Sequence, residues 1–111
     1  MPDYEGFLWR QGMGILKRWE KRWVILKNNT LYYLKDKDSE DIRGSMAVDG
    51  ASAQEAIVDK RKDCFAVSIP EKEVNKPNKR ILFQATSESD MKKWIEVFNK
   101  LTSEEVELDM F

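Results

Sequence analysis

The sequence of 111 residues contains no histidine. That removes His-based triads, His-ligated metals and the usual general base near neutral pH. Cys64 is the single cysteine, so no internal disulfide can form, and a reducing, intracellular setting is the simple expectation. There is no signal-peptide pattern and no apolar run of about 18 residues, so nothing is expected to span a membrane. Glycine and proline are scarce, at 5 and 3 residues. No Gly-rich phosphate loop precedes a helix, and no metal-ligand spacing is present. These absences argue against an enzyme, and neither cofactor nor metal is expected. With a net charge of −1, binding of nucleic acid through bulk charge is not expected either.

What is present suits one folded domain: 41% hydrophobic residues can supply a modest core, and 35% charged residues make an ionic surface. The charge is uneven. Between Arg10 and Lys27 stand Arg10, Lys17, Arg18, Lys21, Arg22 and Lys27, against Glu20 alone. From Ser103 to Phe111 there are Glu104, Glu105, Glu107 and Asp109 and no base. A basic end and an acidic tail imply an anionic partner met at one place.

Periodicity divides the chain. GFLWRQG (6–12) reads as a first strand, followed by MGILK (13–17) as a loop. From Trp19 to Leu26 the residues alternate, with Glu20, Arg22, Val24 and Leu26 on one face and Trp19, Lys21, Trp23 and Ile25 on the other. Residues 27–30 form a turn cluster, and LYYL (31–34) is a third strand. Further strands are expected over 43–48, 56–59, 64–69 and 81–85, with a turn at KRKD (60–63). Then the period changes. Met91, Trp94, Ile95, Phe98 and Leu101 form one helical stripe, with Ser87 as N-cap and Asp90 in the first turn. Trp94 and Cys64 are expected in the core, and Trp19 and Trp23 against neighbouring strands rather than on a ligand.

Three patterns, EGFLWRQG, KRWEKRWVILKNNTLYYLKD and DMKKWIEVF, in this order and spacing, resemble a pleckstrin homology (PH) domain over residues 5 to 101. The resemblance implies a mainly β fold with one C-terminal α-helix: a seven-stranded antiparallel sandwich or barrel capped by the helix. The domain would occupy residues 1–102, with 103–111 an acidic tail or the start of a linker. It also implies a function, the binding of phosphoinositide headgroups at the open end. Matched to the family's pattern, the headgroup residues are Arg10, Lys17, Arg22, Tyr33 and Arg43. Arg offers a planar fork of donors to phosphate oxygens, Lys a point charge and Tyr a hydroxyl donor. Met13, Ile15 and Leu16 at the first loop's tip would enter the bilayer beside the headgroup.

One residue departs from the pattern. Glu20 stands where strong binders carry Lys or Arg, and it shares a face with Arg22. At roughly 4 Å and an effective dielectric near 20, reversing that charge shifts the interaction by several kcal/mol before screening. It also raises the standing of an alternative outer site that some relatives use, which here would draw on Arg18, Lys21, Lys60, Arg61 and Lys62. The expected protein is a monomeric, cytoplasmic module recruited peripherally to the plasma membrane or endomembranes, favouring 3-phosphorylated inositol lipids. The other expectation is a protein-interaction domain with only weak, nonspecific affinity for anionic lipid.

Overall fold

The computed structural model describes residues 2–12 and 15–109, with side chains as far as Leu101. Seven strands follow the chain: β1 (Tyr4–Gln11), β2 (Trp19–Lys27), β3 (Thr30–Leu34), β4 (Ile42–Ala47), β5 (Ser52–Glu55), β6 (Cys64–Ile69) and β7 (Lys79–Gln84). One helix, α1 (Glu88–Asp109), completes the order. The strands form a single antiparallel sheet in the order β4-β3-β2-β1-β7-β6-β5. Two meanders, β1–β4 and β5–β7, meet where β1 pairs with β7 through Trp9↔Gln84 and Arg10↔Phe83.

Alternation decides which face is buried. Along β2, Val24 and Leu26 have no exposed surface, and their opposite residues on β3, Tyr33 and Leu31, are buried as well. Glu20 and Arg22 lie on the same inward register nearer the start of the strand. On β1 the inward line runs Gly6, Leu8, Arg10, opposite Val24, Arg22 and Glu20 in turn. The outward line carries Phe7 and Trp23, whose rings meet edge to face at 4.8 Å. The β2–β3 hairpin closes on Asn28 and Asn29, both in the left-handed region (φ 52° and 58°), where Asn is better tolerated than most residues.

The helix covers the inner face at one end. Ser87 Oγ accepts the Asp90 N–H at 3.1 Å, the N-cap expected from the sequence. Met91, Trp94 and Phe98 are buried, with Ile95 and Leu101 packed against them. Gly6 lies beneath this contact, where a Cβ would stand at ordinary van der Waals distance, 3.8 Å, from the Trp94 ring. Tyr4 packs edge to face on Trp94 at 4.6 Å, and its hydroxyl donates to Asp90 Oδ1 at 2.6 Å. Asn99 does something side-chain periodicity does not announce. Its carboxamide accepts from Ala53 N–H at 2.8 Å and donates to Ala53 C=O at 3.0 Å, so one side chain pairs with strand backbone as a neighbouring strand would. The helical backbone continues past the apolar stripe to Asp109, through most of the segment expected to begin a linker.

One expected strand is overturned. Residues 56–59 are not β5; the strand is Ser52–Glu55, paired to β6 from Ser52↔Ser68 to Glu55↔Phe65. Ile57 and Val58 have the β-branched look of a strand, yet Ile57 is fully exposed. Ser-Ala-Gln-Glu has little strand propensity of its own and is held by β6 on one side and Asn99 on the other.

Candidate functional site

The inward line of β1 ends at Arg10, six residues and thus about 20 Å along the strand from Tyr4 at the helix-covered end. There the sheet mouth is open. The Arg10 guanidinium lies over the Tyr33 ring, 4.9 Å from its centroid. Arg10 Nε and the Tyr33 hydroxyl are both buried and have no hydrogen-bond partner. Tyr33 as a whole is 6% exposed. Burial pushes its phenol pKa up, and the Arg10 charge pulls the other way. An unmet buried donor costs about 1–3 kcal/mol, so two of them side by side are a notable expense for a small domain.

Glu20 faces Arg10 directly across the β1–β2 pair. Its carboxylate, however, binds Arg22, with Nη2 to Oε2 at 2.5 Å, while Arg22 Nη1 donates to the Lys21 carbonyl at 2.9 Å. Arg22 is thus folded along its own strand. The side chains are 27% and 58% exposed, so the attraction lies nearer the aqueous limit, about 1 kcal/mol at 4 Å, than the interior one.

The other expected headgroup residues lie on the rim. Lys17 is exposed, in the left-handed region (φ 46°), at the end of the first loop. That loop is closed by the Gly12 N–H donating to the Arg18 carbonyl at 2.7 Å. A Cβ on Gly12 would come within 3.2 Å of that oxygen. Arg43 is exposed and falls at a register shift, where Tyr33 pairs with Gly44 and Leu34 with Ile42, leaving Arg43 as the extra residue of a bulge. Ile15 is fully exposed and Leu16 is 73% exposed; Met13 lies outside the described residues.

The residues of the outer site divide. The structure brings Arg61 over the Trp19 ring at 4.2 Å and lets it donate to Gln84 Oε1 at 2.5 Å. Gln84 Nε2 in turn donates to the Lys62 carbonyl at 2.9 Å, which ties the β5–β6 turn to the outer face. Lys21 Nζ lies 4.4 Å from the Phe7 centroid and 5.2 Å from that of Trp9. Arg18, Lys60 and Lys62 are exposed beside this cluster. Sequence reasoning missed Gln84 and the use of Trp19 as a platform for Arg61; the Trp9↔Gln84 pairing, which no local pattern encodes, creates both. Cys64 is buried as expected, and its thiol pKa is raised by that burial despite the nearby Arg61 charge.

The hollows described on this surface lie away from the expected headgroup residues. One of about 190 Å³ is lined by Asp3, Lys93 and Lys100, and one of about 410 Å³ by Ile57, Asp63 and Met91; neither includes an expected headgroup residue. Among the described residues no helix is long and apolar enough to cross a membrane.

The seven-stranded antiparallel sheet, the terminal helix with buried Trp94 and a basic end form one pattern, and the family model for the PH domain matches residues 2–103. The chain belongs to the PH-domain family. This family comprises phosphoinositide-binding modules, and its fold is a binding scaffold rather than a catalytic one. Human cytohesin-2 is 36% identical over 69 residues, which cover 62% of this chain and 17% of that protein. Among solved structures, the Slm1 PH domain in complex with inositol 4-phosphate aligns with TM-score 0.74 at 22% identity, over 91% of this PH domain and 95% of that chain. The C-terminal PH domain of pleckstrin, in complex with D-myo-Ins(1,2,3,5,6)P5, aligns with TM-score 0.73 at 19% identity, over 92% and 96%. These likenesses carry the fold. The chain spans less than a fifth of the curated relative's length.

Proposed function

We propose that this PH domain is a membrane-targeting module that captures a phosphoinositide headgroup at its open end, with a bias toward 3-phosphorylated inositol lipids. The observation that carries the reading is the pair of buried, unpartnered donors, Arg10 Nε and the Tyr33 hydroxyl, beside Arg22. Phosphate oxygens would supply the acceptors both lack. Lys17 and Arg43 add exposed positive charge at the rim, each basic residue contributing about 1 kcal/mol near an anionic surface. The Ile15–Leu16 tip then enters the interface, with Met13 beside them in sequence. The inositol phosphates held by the Slm1 and pleckstrin domains support the ligand class. The 3-phosphate bias rests on the match of Arg10, Lys17, Arg22, Tyr33 and Arg43 to the family's pattern, and Glu20 lowers the affinity it implies. On this reading the protein is a cytoplasmic monomer, with residues 1–102 as the module, recruited peripherally to the plasma membrane or endomembranes.

A second reading places the headgroup on the outer face. The Arg61–Trp19–Gln84 cluster, with Lys21, Arg18, Lys60 and Lys62 around it, favours this. Liposome sedimentation across the seven phosphoinositides, with phosphatidylserine as control, tests both at physiological salt. The first reading expects selective binding that Arg22→Ala abolishes. Binding that survives Arg22→Ala and is lost in Arg61→Ala selects the outer face. Equal, weak binding to every anionic liposome would reject a stereospecific site in favour of a protein-interaction role.

A further inference from the structure

The open end presents two chemically opposite walls. One is a donor wall: Arg10 Nε and the Tyr33 hydroxyl, buried and unpartnered. The other is Glu20, whose backbone position lies directly across the β1–β2 pair from Arg10 and whose carboxylate is held at 2.5 Å by Arg22. Opposite residues in an antiparallel pair have Cβ atoms about 5 Å apart, so a ligand seated on Arg10 has a neighbouring substituent within reach of Glu20. An ionised carboxylate only accepts hydrogen bonds. What meets it must therefore donate.

Each inositol ring carbon carries either a hydroxyl, which can donate, or an ionised phosphate, which accepts and carries negative charge. A phosphate on the donor wall with a hydroxyl on the adjacent carbon satisfies both walls. A phosphate on the adjacent carbon meets Glu20 with like charge. Turning the carboxylate away to make room would break its bond to Arg22. Arg22, held along its own strand by Glu20 and the Lys21 carbonyl, is also not free to clamp a second phosphate.

We infer that Glu20 is a specificity-determining residue: with the 3-phosphate seated on Arg10 and Tyr33 and C4 turned toward Glu20, it selects inositol headgroups that carry a hydroxyl at C4 and rejects those that carry a phosphate there. The inference rests on the proposed headgroup site at the open end. Within the 3-phosphorylated lipids it distinguishes the 3-monophosphate from the 3,4- and 3,4,5-phosphorylated forms. The rule runs against simple electrostatics, by which a basic mouth binds more tightly as phosphates are added.

Calorimetric titration of the whole chain tests this with soluble headgroups: inositol 1,3-bisphosphate, whose phosphates are not adjacent, and inositol 1,3,4-trisphosphate, in which two are. Inorganic phosphate is the third ligand. The native protein is expected to bind the 1,3-bisphosphate about tenfold more tightly than the 1,3,4-trisphosphate. Inorganic phosphate should bind far more weakly, because it brings no ring hydroxyl. Glu20→Lys should invert the order, and the near-isosteric Glu20→Gln should bring the two headgroups close to parity. Liposomes carrying the corresponding lipids should repeat the order. Glu20→Lys improving both headgroups by one common factor would overturn the inference while leaving the headgroup site intact, as would native preference for the trisphosphate. Inorganic phosphate binding as tightly as the bisphosphate would also overturn it. Arg10→Ala binding every ligand as the native protein does would instead overturn the open-end site itself, and this inference with it.

Discussion

The two ends of the sheet handle polar groups in opposite ways. At the helix-covered end, Tyr4 reaches Asp90 and Asn99 pairs with Ala53, so the polar groups of these contacts are matched within the chain, Trp94 Nε1 being an exception. At the open end, Arg10 Nε and the Tyr33 hydroxyl are buried without partners. Burial of apolar surface dominates the first end: Trp94, Phe98 and Leu8 have no exposed area, and Trp94 Nε1 is its one unmet group among the described residues. It does not explain the second, where the same domain carries a cost of about 1–3 kcal/mol per unmet group. Stability is assembled at one end, and part of it is forgone at the other, where a ligand would meet the need.

The comparison can be broken most forcefully at the covered end. Trp94→Ala should cost about 3–5 kcal/mol, the usual range for removing a large buried aromatic, and chemical denaturation would show it. Loss of headgroup binding in this variant should appear only in proportion to the unfolded fraction. Selective loss of binding at full foldedness would mean the two ends are not separate. At the open end the expected sign is reversed. Tyr33→Phe removes an unmet hydroxyl while keeping the ring beneath Arg10, so thermal stability should rise by about 1 kcal/mol while headgroup affinity falls. A variant that loses stability would show that the hydroxyl is satisfied in solution. The smallest effect belongs to Tyr4→Phe, about 1 kcal/mol for one lost hydrogen bond. Burial, followed by the bond and charge of Asp90, pushes the Tyr4 pKa up to about 12 from its ordinary 10.0. The folded protein therefore holds this proton where the unfolded chain has released it, and stability should fall as pH rises from 10 towards 12. Titrating denaturation midpoints over that range should show a shallower fall in Tyr4→Phe.

The same contrast explains what could be read from the sequence. Val24, Leu26 and the Met91–Trp94–Phe98 stripe were legible because core positions follow a strict period of two or of 3.6. The β2–β3 hairpin was legible because Asn-Asn fits its left-handed turn. β5 was not, because Ser-Ala-Gln-Glu is a strand only by virtue of β6 and Asn99, and the more strand-like Ile57–Val58 drew the expectation downstream. At the candidate site, alternation put Glu20 and Arg22 on one face, but it could not say that the carboxylate would bind Arg22 rather than Arg10. That choice depends on Arg22 folding back over the Lys21 carbonyl. Nor could any local pattern bring Arg61 to Trp19, since the contact spans two meanders that pair through β1 and β7.

Asn99 has one more consequence. A strand at the end of a sheet normally offers its outer N–H and C=O groups to any passing extended chain, which is how folded domains swap elements or seed aggregates. β5 has only four residues, and at Ala53 both of those groups are already taken by a carboxamide from the helix. A second molecule trying to extend the sheet here would have to displace a side chain anchored on a buried helix before gaining its first backbone bond. The side chain that helps seat the helix thus also makes this border of the sheet a poor template for self-association.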